Sequence, residues 1–222
     1  MIRTVKPILL SLIFALGCAK EFRPRGDYWD SIPTRDQRAR IVEDAKDLSH
    51  HRYFHANKQY IPKDCSGYVA TILYKNGFDV YGGASARNIE GNGVALIQEF
   101  ILRDGELFKD LPEPGDLVFF SNTYDKNNDG KVNDPLTHIG IVTRVSEDQT
   151  VTFLHFLQGK VRTGILNLSD PHTVENDSGK LNSYLRRRNR RDPANTPYLS
   201  GELFQGFGAF IKRPDDLSDL TE

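Results

Sequence analysis

The chain has 222 residues, 38% of them hydrophobic, which is enough for one domain with a sizeable core and too little for two full ones. A formal charge of −1 excludes the strong basic excess by which a nucleic-acid-binding surface normally declares itself. With only two cysteines, Cys18 and Cys65, the fold cannot rest on a disulfide framework.

Arg3 and Lys6 precede an apolar run from Ile8 to Gly17, the layout of a secretory signal. That run is too short to span a bilayer as a mature helix. Its end, Ala15-Leu16-Gly17-Cys18, resembles the cleavage box of bacterial lipoproteins, whose cysteine is lipidated and becomes the new N-terminus. On this reading residues 1–17 are a signal peptide and Cys18 is the lipidation site. The acyl chains then tie an exported protein to the membrane of the bacterial envelope without crossing it. Lipidation at Cys18 would leave Cys65 as a lone thiol in an oxidising compartment, which asks for a chemical reason. Residues 18–33, with Pro24, Gly26 and Pro33, read as a tether.

Thr34 and Gln37 form a capping-box pattern, and Ile41, Ala45 and Leu48 fall on one face, which predicts a helix of about four turns. A second helix begins at Cys65, where Val69, Ile72 and Leu73 recur at helical spacing and Asn76-Gly77 is a stop signal. Residues 93–103 predict a third, with Leu96, Ile97, Phe100 and Ile101 as its stripe and Gly105 as its end. From residue 116 the texture changes to β, with strands predicted over 116–120, 138–145, 151–157, 160–166 and 206–213. Helices first and strands later predict an α+β domain over residues 34–213, its N-terminal helices packed on an antiparallel sheet. Residues 214–222 form an acidic tail.

The chemistry concentrates in Lys63-Asp64-Cys65-Ser66-Gly67-Tyr68-Val69. A thiol in the first turn of a helix sits where backbone N–H groups are unpaired, and a thiolate is favoured there. The helix end supplies only about 0.3–1 kcal/mol, while one pKa unit corresponds to about 1.36 kcal/mol, so a cationic partner is needed to activate the sulfur. The candidate is His138, in the β-branched run Thr137-His138-Ile139-Gly140-Ile141-Val142. A second histidine, His155, in Val151-Thr152-Phe153-Leu154-His155-Phe156, is placed to orient the first, the third role of a triad.

Asp64-Cys65-Ser66-Gly67-Tyr68-Val69, Pro114-Gly115-Asp116-Leu117-Val118-Phe119-Phe120 and His138-Ile139-Gly140-Ile141-Val142 together resemble, in order and character, the NlpC-type bacterial cell-wall cysteine peptidases. The resemblance implies a papain-like α+β fold with Cys65 as nucleophile, His138 as general base and His155 as orienting residue. It implies cleavage of amide bonds in peptidoglycan stem peptides through a thioester, with Asp64 and Ser66 holding a free amine end. It also makes Tyr53 an oxyanion donor beside the backbone N–H of Cys65. The chain departs from the family after that tyrosine, where Phe54-His55-Ala56-Asn57 replaces an aromatic followed by two glycines. Related thiol enzymes that transfer acyl groups or act on lipids tend to place histidine before cysteine, so the order here favours the peptidase. A non-catalytic wall-binding lipoprotein is the remaining alternative.

Asp125-Lys126-Asn127-Asn128-Asp129-Gly130 has oxygen side chains at alternate positions and glycine sixth, the start of a calcium loop. Asp125, Asn127 and Asp129 would be ligands, but Leu136 stands where a bidentate glutamate completes such loops. The proposed hydrolysis needs no cofactor, so calcium would be structural. Arg186-Arg187-Arg188-Asn189-Arg190-Arg191 reads as a self-repelling loop able to attract anionic wall polymer or headgroups.

Overall fold

The structure, a computed structural model, describes residues 34–50, 54–56, 59–81, 92–190 and 192–210. The signal peptide, Cys18, the tether, Tyr53 and the acidic tail lie outside these residues. Helix α1 (Thr34–Asp47) runs into a 3-10 turn (Leu48–His50) and a small hairpin, β1 (His55–Ala56) and β2 (Gln59–Tyr60). Helices α2 (Cys65–Lys75) and α3 (Gly93–Asp104) follow. Then come β3 (Glu106–Phe108), β4 (Leu117–Phe120), β5 (His138–Val145), β6 (Val151–Leu157) and β7 (Lys160–Leu166). A hairpin of β8 (Glu175–Asn176) and β9 (Gly179–Lys180), a single helical turn α4 (Ser200–Leu203) and β10 (Phe204–Ala209) complete the order.

The fold is α+β, with N-terminal helices followed by one six-stranded sheet in the order β3-β10-β4-β5-β6-β7. Every neighbouring pair in it is antiparallel. Strands β5, β6 and β7 occupy the spans their periodicity predicts, whereas β10 begins two residues earlier than expected and inserts between β3 and β4. Residue 116 lies before β4 rather than in it, because its side chain turns back onto the loop. None of the described helices is long and apolar enough to cross a membrane.

Alternation along the strands divides the core in two. Leu117, Phe119, Ile139 and Ile141 join Ile41, Ala45, Val69, Ile72, Leu73, Ile97 and Ile101 in a layer between helices and sheet. Val118, Phe120, Val142, Phe153 and Phe207 face the other way, beneath Leu185 and Leu203. In α3 the buried stripe includes Val94, while Leu96 is half-exposed. Tyr68 is wholly buried and its hydroxyl donates to the Ala45 carbonyl at 2.6 Å, fixing α2 against α1.

A buried ion pair closes the helical layer onto the sheet. Arg38 Nη1 donates to Asp116 Oδ1 at 2.6 Å and Arg38 Nε lies 3.0 Å from Glu113 Oε2. Asp116 Oδ2 accepts from the Glu113 N–H at 2.7 Å. Burial pushes the Asp116 carboxyl up, and the Arg38 guanidinium opposes that shift. Removing one partner strands the other charge in the interior. Arg38→Ala is therefore expected to lose about 3–5 kcal/mol in urea unfolding, and Arg38→Lys part of that. Full stability in Arg38→Ala would show that the pair is not what joins the layers.

Candidate active site

The first turn of α2 is built by its cap. Asp64 Oδ1 accepts from the Gly67 N–H at 2.9 Å and from the Ser66 hydroxyl at 2.7 Å, satisfying one of the turn's unpaired donors. The incoming chain lies so close that a Cβ on Gly67 would sit 1.8 Å from the Pro62 carbonyl oxygen, so only glycine fits there. This seats Cys65 half-buried at the helix start, packed against the core layer that contains Ile139, with the backbone N–H groups of Ile139 and Ser66 near enough to favour a charged sulfur. The thiol thus meets the beginning of β5, one residue past His138.

His138 is the first residue of β5 and pairs with Phe120 of β4. His155 lies on β6, next to β5 in the sheet. Gly140 admits the close approach of the two strands, since a Cβ there would stand 2.9 Å from the Leu154 carbonyl oxygen and 3.3 Å from the His155 Cβ. The result is a hydrogen bond of 2.7 Å between His138 Nε2 and His155 Nδ1, with the rings nearly perpendicular at 85°. Both imidazoles are buried. With Nε2 committed to His155, Nδ1 is the nitrogen of His138 left for proton transfer.

Cys65 and His138 line one cavity of about 570 Å³, together with Asp64, Ser66, Tyr124 and Thr137. The structure therefore brings together every described residue that the sequence singles out for catalysis or substrate binding. It also adds residues that carry no sequence motif. The Tyr81 hydroxyl donates to Ser66 Oγ at 3.2 Å, extending the chain of hydrogen bonds that ends at Asp64. Tyr124 stands half-exposed in the wall of the same cavity, where desolvation, with the Asp64 carboxylate adding to it, raises its pKa. Neither tyrosine has a spacing that would mark it; only the folded chain puts them beside Cys65.

Charge in the resting site differs from the sequence expectation of a thiolate beside an imidazolium. Burial, with the Asp64 carboxylate next, pushes the Cys65 thiol from 9.0 up to about 12. That is about 4 kcal/mol against the charged form, several times what the helix end supplies. Burial likewise pulls His138 from 6.5 down to about 4, although Asp64 favours its protonation. His155 is driven lower by burial, by His138 and by Arg162 across the strand pair. Near neutral pH the thiol keeps its proton and both rings are uncharged.

The Asp125–Asp129 segment is closed by its own backbone. Asp125 accepts from the N–H groups of Asp129 and Gly130, Asn127 from Asp129, and Asp129 from Lys131 and Asn133. Gly130, expected to turn the loop, has φ of +76°. Among the described residues no three His, Cys, Asp or Glu side chains converge as metal ligands. No family model, curated protein or solved structure matches the chain, so the resemblance rests on its motifs alone.

Holding the rings neutral ties folding to pH. The unfolded chain protonates its histidines near pH 6.5 while the folded chain resists until about 4 at His138, so stability falls as pH drops through that window. The shift corresponds to about 3 kcal/mol from His138. Wild type is expected to lose about that much more than His138→Gln between pH 7 and pH 4 in urea unfolding. Equal losses would mean that the ring is not held neutral by the fold.

Proposed function

We propose that the protein is a cysteine hydrolase of the NlpC type, with a papain-like arrangement, that cleaves amide bonds in peptidoglycan stem peptides. The observation that carries this reading is the shared cavity of Cys65 and His138, with the outer nitrogen of His138 bound to His155. For Nδ1 to accept a proton, Nε2 must carry one and donate it to His155 Nδ1. His155 thereby selects the reactive tautomer and remains an acceptor when His138 becomes charged. It is a positioning residue; Cys65 and His138 do the chemistry.

The thiol proton passes to His138 Nδ1 as sulfur attacks the substrate carbonyl carbon, which avoids a free thiolate in a dry site. The developing oxyanion faces the backbone N–H of Cys65, with Tyr53 proposed as the second donor. His138 then returns the proton to the leaving amine nitrogen as the C–N bond breaks, leaving a thioester on Cys65. Water, deprotonated by Nδ1, attacks the thioester carbonyl, and the sulfur leaves to recover the proton. Asp64 offers its carboxylate to a free amine end, and Ser66, bonded to both Asp64 and Tyr81, steadies that carboxylate. The steps need no cofactor, and calcium at Asp125, Asn127 and Asp129 would serve only the loop. Export with a lipid on Cys18 would hold the domain at the bacterial envelope, within reach of its substrate.

Mature protein is expected to release cleaved stems from purified muropeptides in a mass-spectrometric assay, and Cys65→Ala to release none. A Cys65→Ala protein as active as wild type overturns the reading. For His155, the accepting oxygen of Asn predicts that His155→Asn keeps much more kcat than His155→Leu, whose loss should approach roughly the 10²–10⁴-fold contribution of general-base catalysis. Equal loss in the two variants would leave the ring with a packing role only. Because His138 must be uncharged and burial holds its pKa near 4, kcat/KM should stay flat through pH 6.5 and fall only toward pH 4.

A further inference from the structure

The arginine-rich segment is built into the fold. Arg186 is the buried member: Nη1 donates to the Asn122 carbonyl at 2.8 Å and Nη2 to Asp192 Oδ1 at 3.1 Å. Asp192 also accepts from the Tyr198 hydroxyl and from the Asn189 N–H. Arg188 lies over the rings of Tyr184 and Tyr198, at 5.9 and 5.3 Å from their centroids. These contacts pin the segment against the loop that follows β4 and leave Arg187 and Arg190 exposed.

Arg187, Arg188 and Arg190 border a second cavity of about 640 Å³. It is adjacent to the cavity that holds Cys65, the two having Thr123, Tyr124, Arg186 and Arg187 in common along their walls. Arginines outnumber carboxylates along it: Asp192 is paired with Arg186, and Asp125, bonded to the backbone of its own loop, faces Arg187, Arg188 and Arg190 in the same lining. The exposed guanidiniums therefore set the local sign, in a chain whose overall charge is only −1. The cavity that holds the thiol carries the Asp64 carboxylate on its wall together with Lys63, Arg186 and Arg187.

We infer that Arg187 and Arg190 form a specificity subsite for a carboxylate of the peptide that Cys65 cleaves. The inference rests on the proposed hydrolase reading and names what the substrate must carry: an amine on the Asp64 side and an anionic group at the arginine end. Guanidinium groups suit a carboxylate because their paired N–H donors match its two oxygens. Arg187 borders both the cavity of the thiol and the second cavity, a concave setting that fits a group on the substrate itself better than a flat lipid surface.

The test uses the stem tripeptide L-Ala-γ-D-Glu-meso-diaminopimelate and the same peptide with its diaminopimelate carboxylates amidated. Wild type is expected to cleave the acid with kcat/KM about tenfold above the amide, and Arg187→Gln/Arg190→Gln to bring that ratio close to one. Arg187→Lys/Arg190→Lys, which keeps the charge but not the fork, should fall between them. A wild-type ratio of one, or a ratio unchanged in the glutamine variant, overturns the subsite. Binding of the two peptides to Cys65→Ala protein separates the inference from the hydrolase reading. A tenfold binding preference without any wild-type turnover would support the subsite and remove the hydrolase, whereas turnover without preference would do the reverse.

Discussion

The geometry of the cleft depends on where the first turn of α2 meets the first residues of β5. That junction is fixed by close packing. Gly67 lets the incoming chain lie on the helix, Tyr68 ties the helix to α1, and Cys65 packs against the core layer that contains Ile139. Since interiors pack at near-crystalline density, such a contact has little freedom to drift. The thiol is held by the same layer of Ile139, Ile141, Val69 and Ile72 that stabilises the fold. Position and stability are one feature here.

Burial of that junction sets its electrostatics. The dipole of α2 and its free N–H groups favour a thiolate, yet removal of water from the sulfur outweighs them and holds the thiol neutral. The same desolvation keeps His138 and His155 uncharged. Thiol and imidazoles are thus held in the forms that burial penalises least. The hydrogen bond between His138 and His155 accounts for two histidines in a region that otherwise carries aromatic and aliphatic side chains.

The surroundings of the thiol are asymmetric. Asp64, the helix cap, also lines the cavity, so one carboxylate serves both the local structure and the polarity of the cleft. The arginine segment supplies the other sign, after Arg186 and Arg188 have been taken up by Asp192 and the tyrosines. Charges of both signs therefore lie along these walls, Asp64 with Lys63 and Arg187 around the thiol and Arg188 and Arg190 farther along the segment.

Local chemistry made much of this legible. The starts of α2 and α3 and the spans of β5, β6 and β7 follow from capping residues, glycine stops and apolar runs divided by turn residues, signals that act within a few neighbours. What stayed hidden required partners far along the chain. The insertion of β10 between β3 and β4, the turn of Asp116 toward Arg38, the arrival of Tyr124 and Arg187 at the cleft and that of Tyr81 at Ser66 leave no periodic trace. The sequence by itself determined the α+β order and the types of side chain available for catalysis, because propensity and pattern are local. Only the tertiary structure decided their charge states and the second end of the cleft, because desolvation and field depend on everything that surrounds a group.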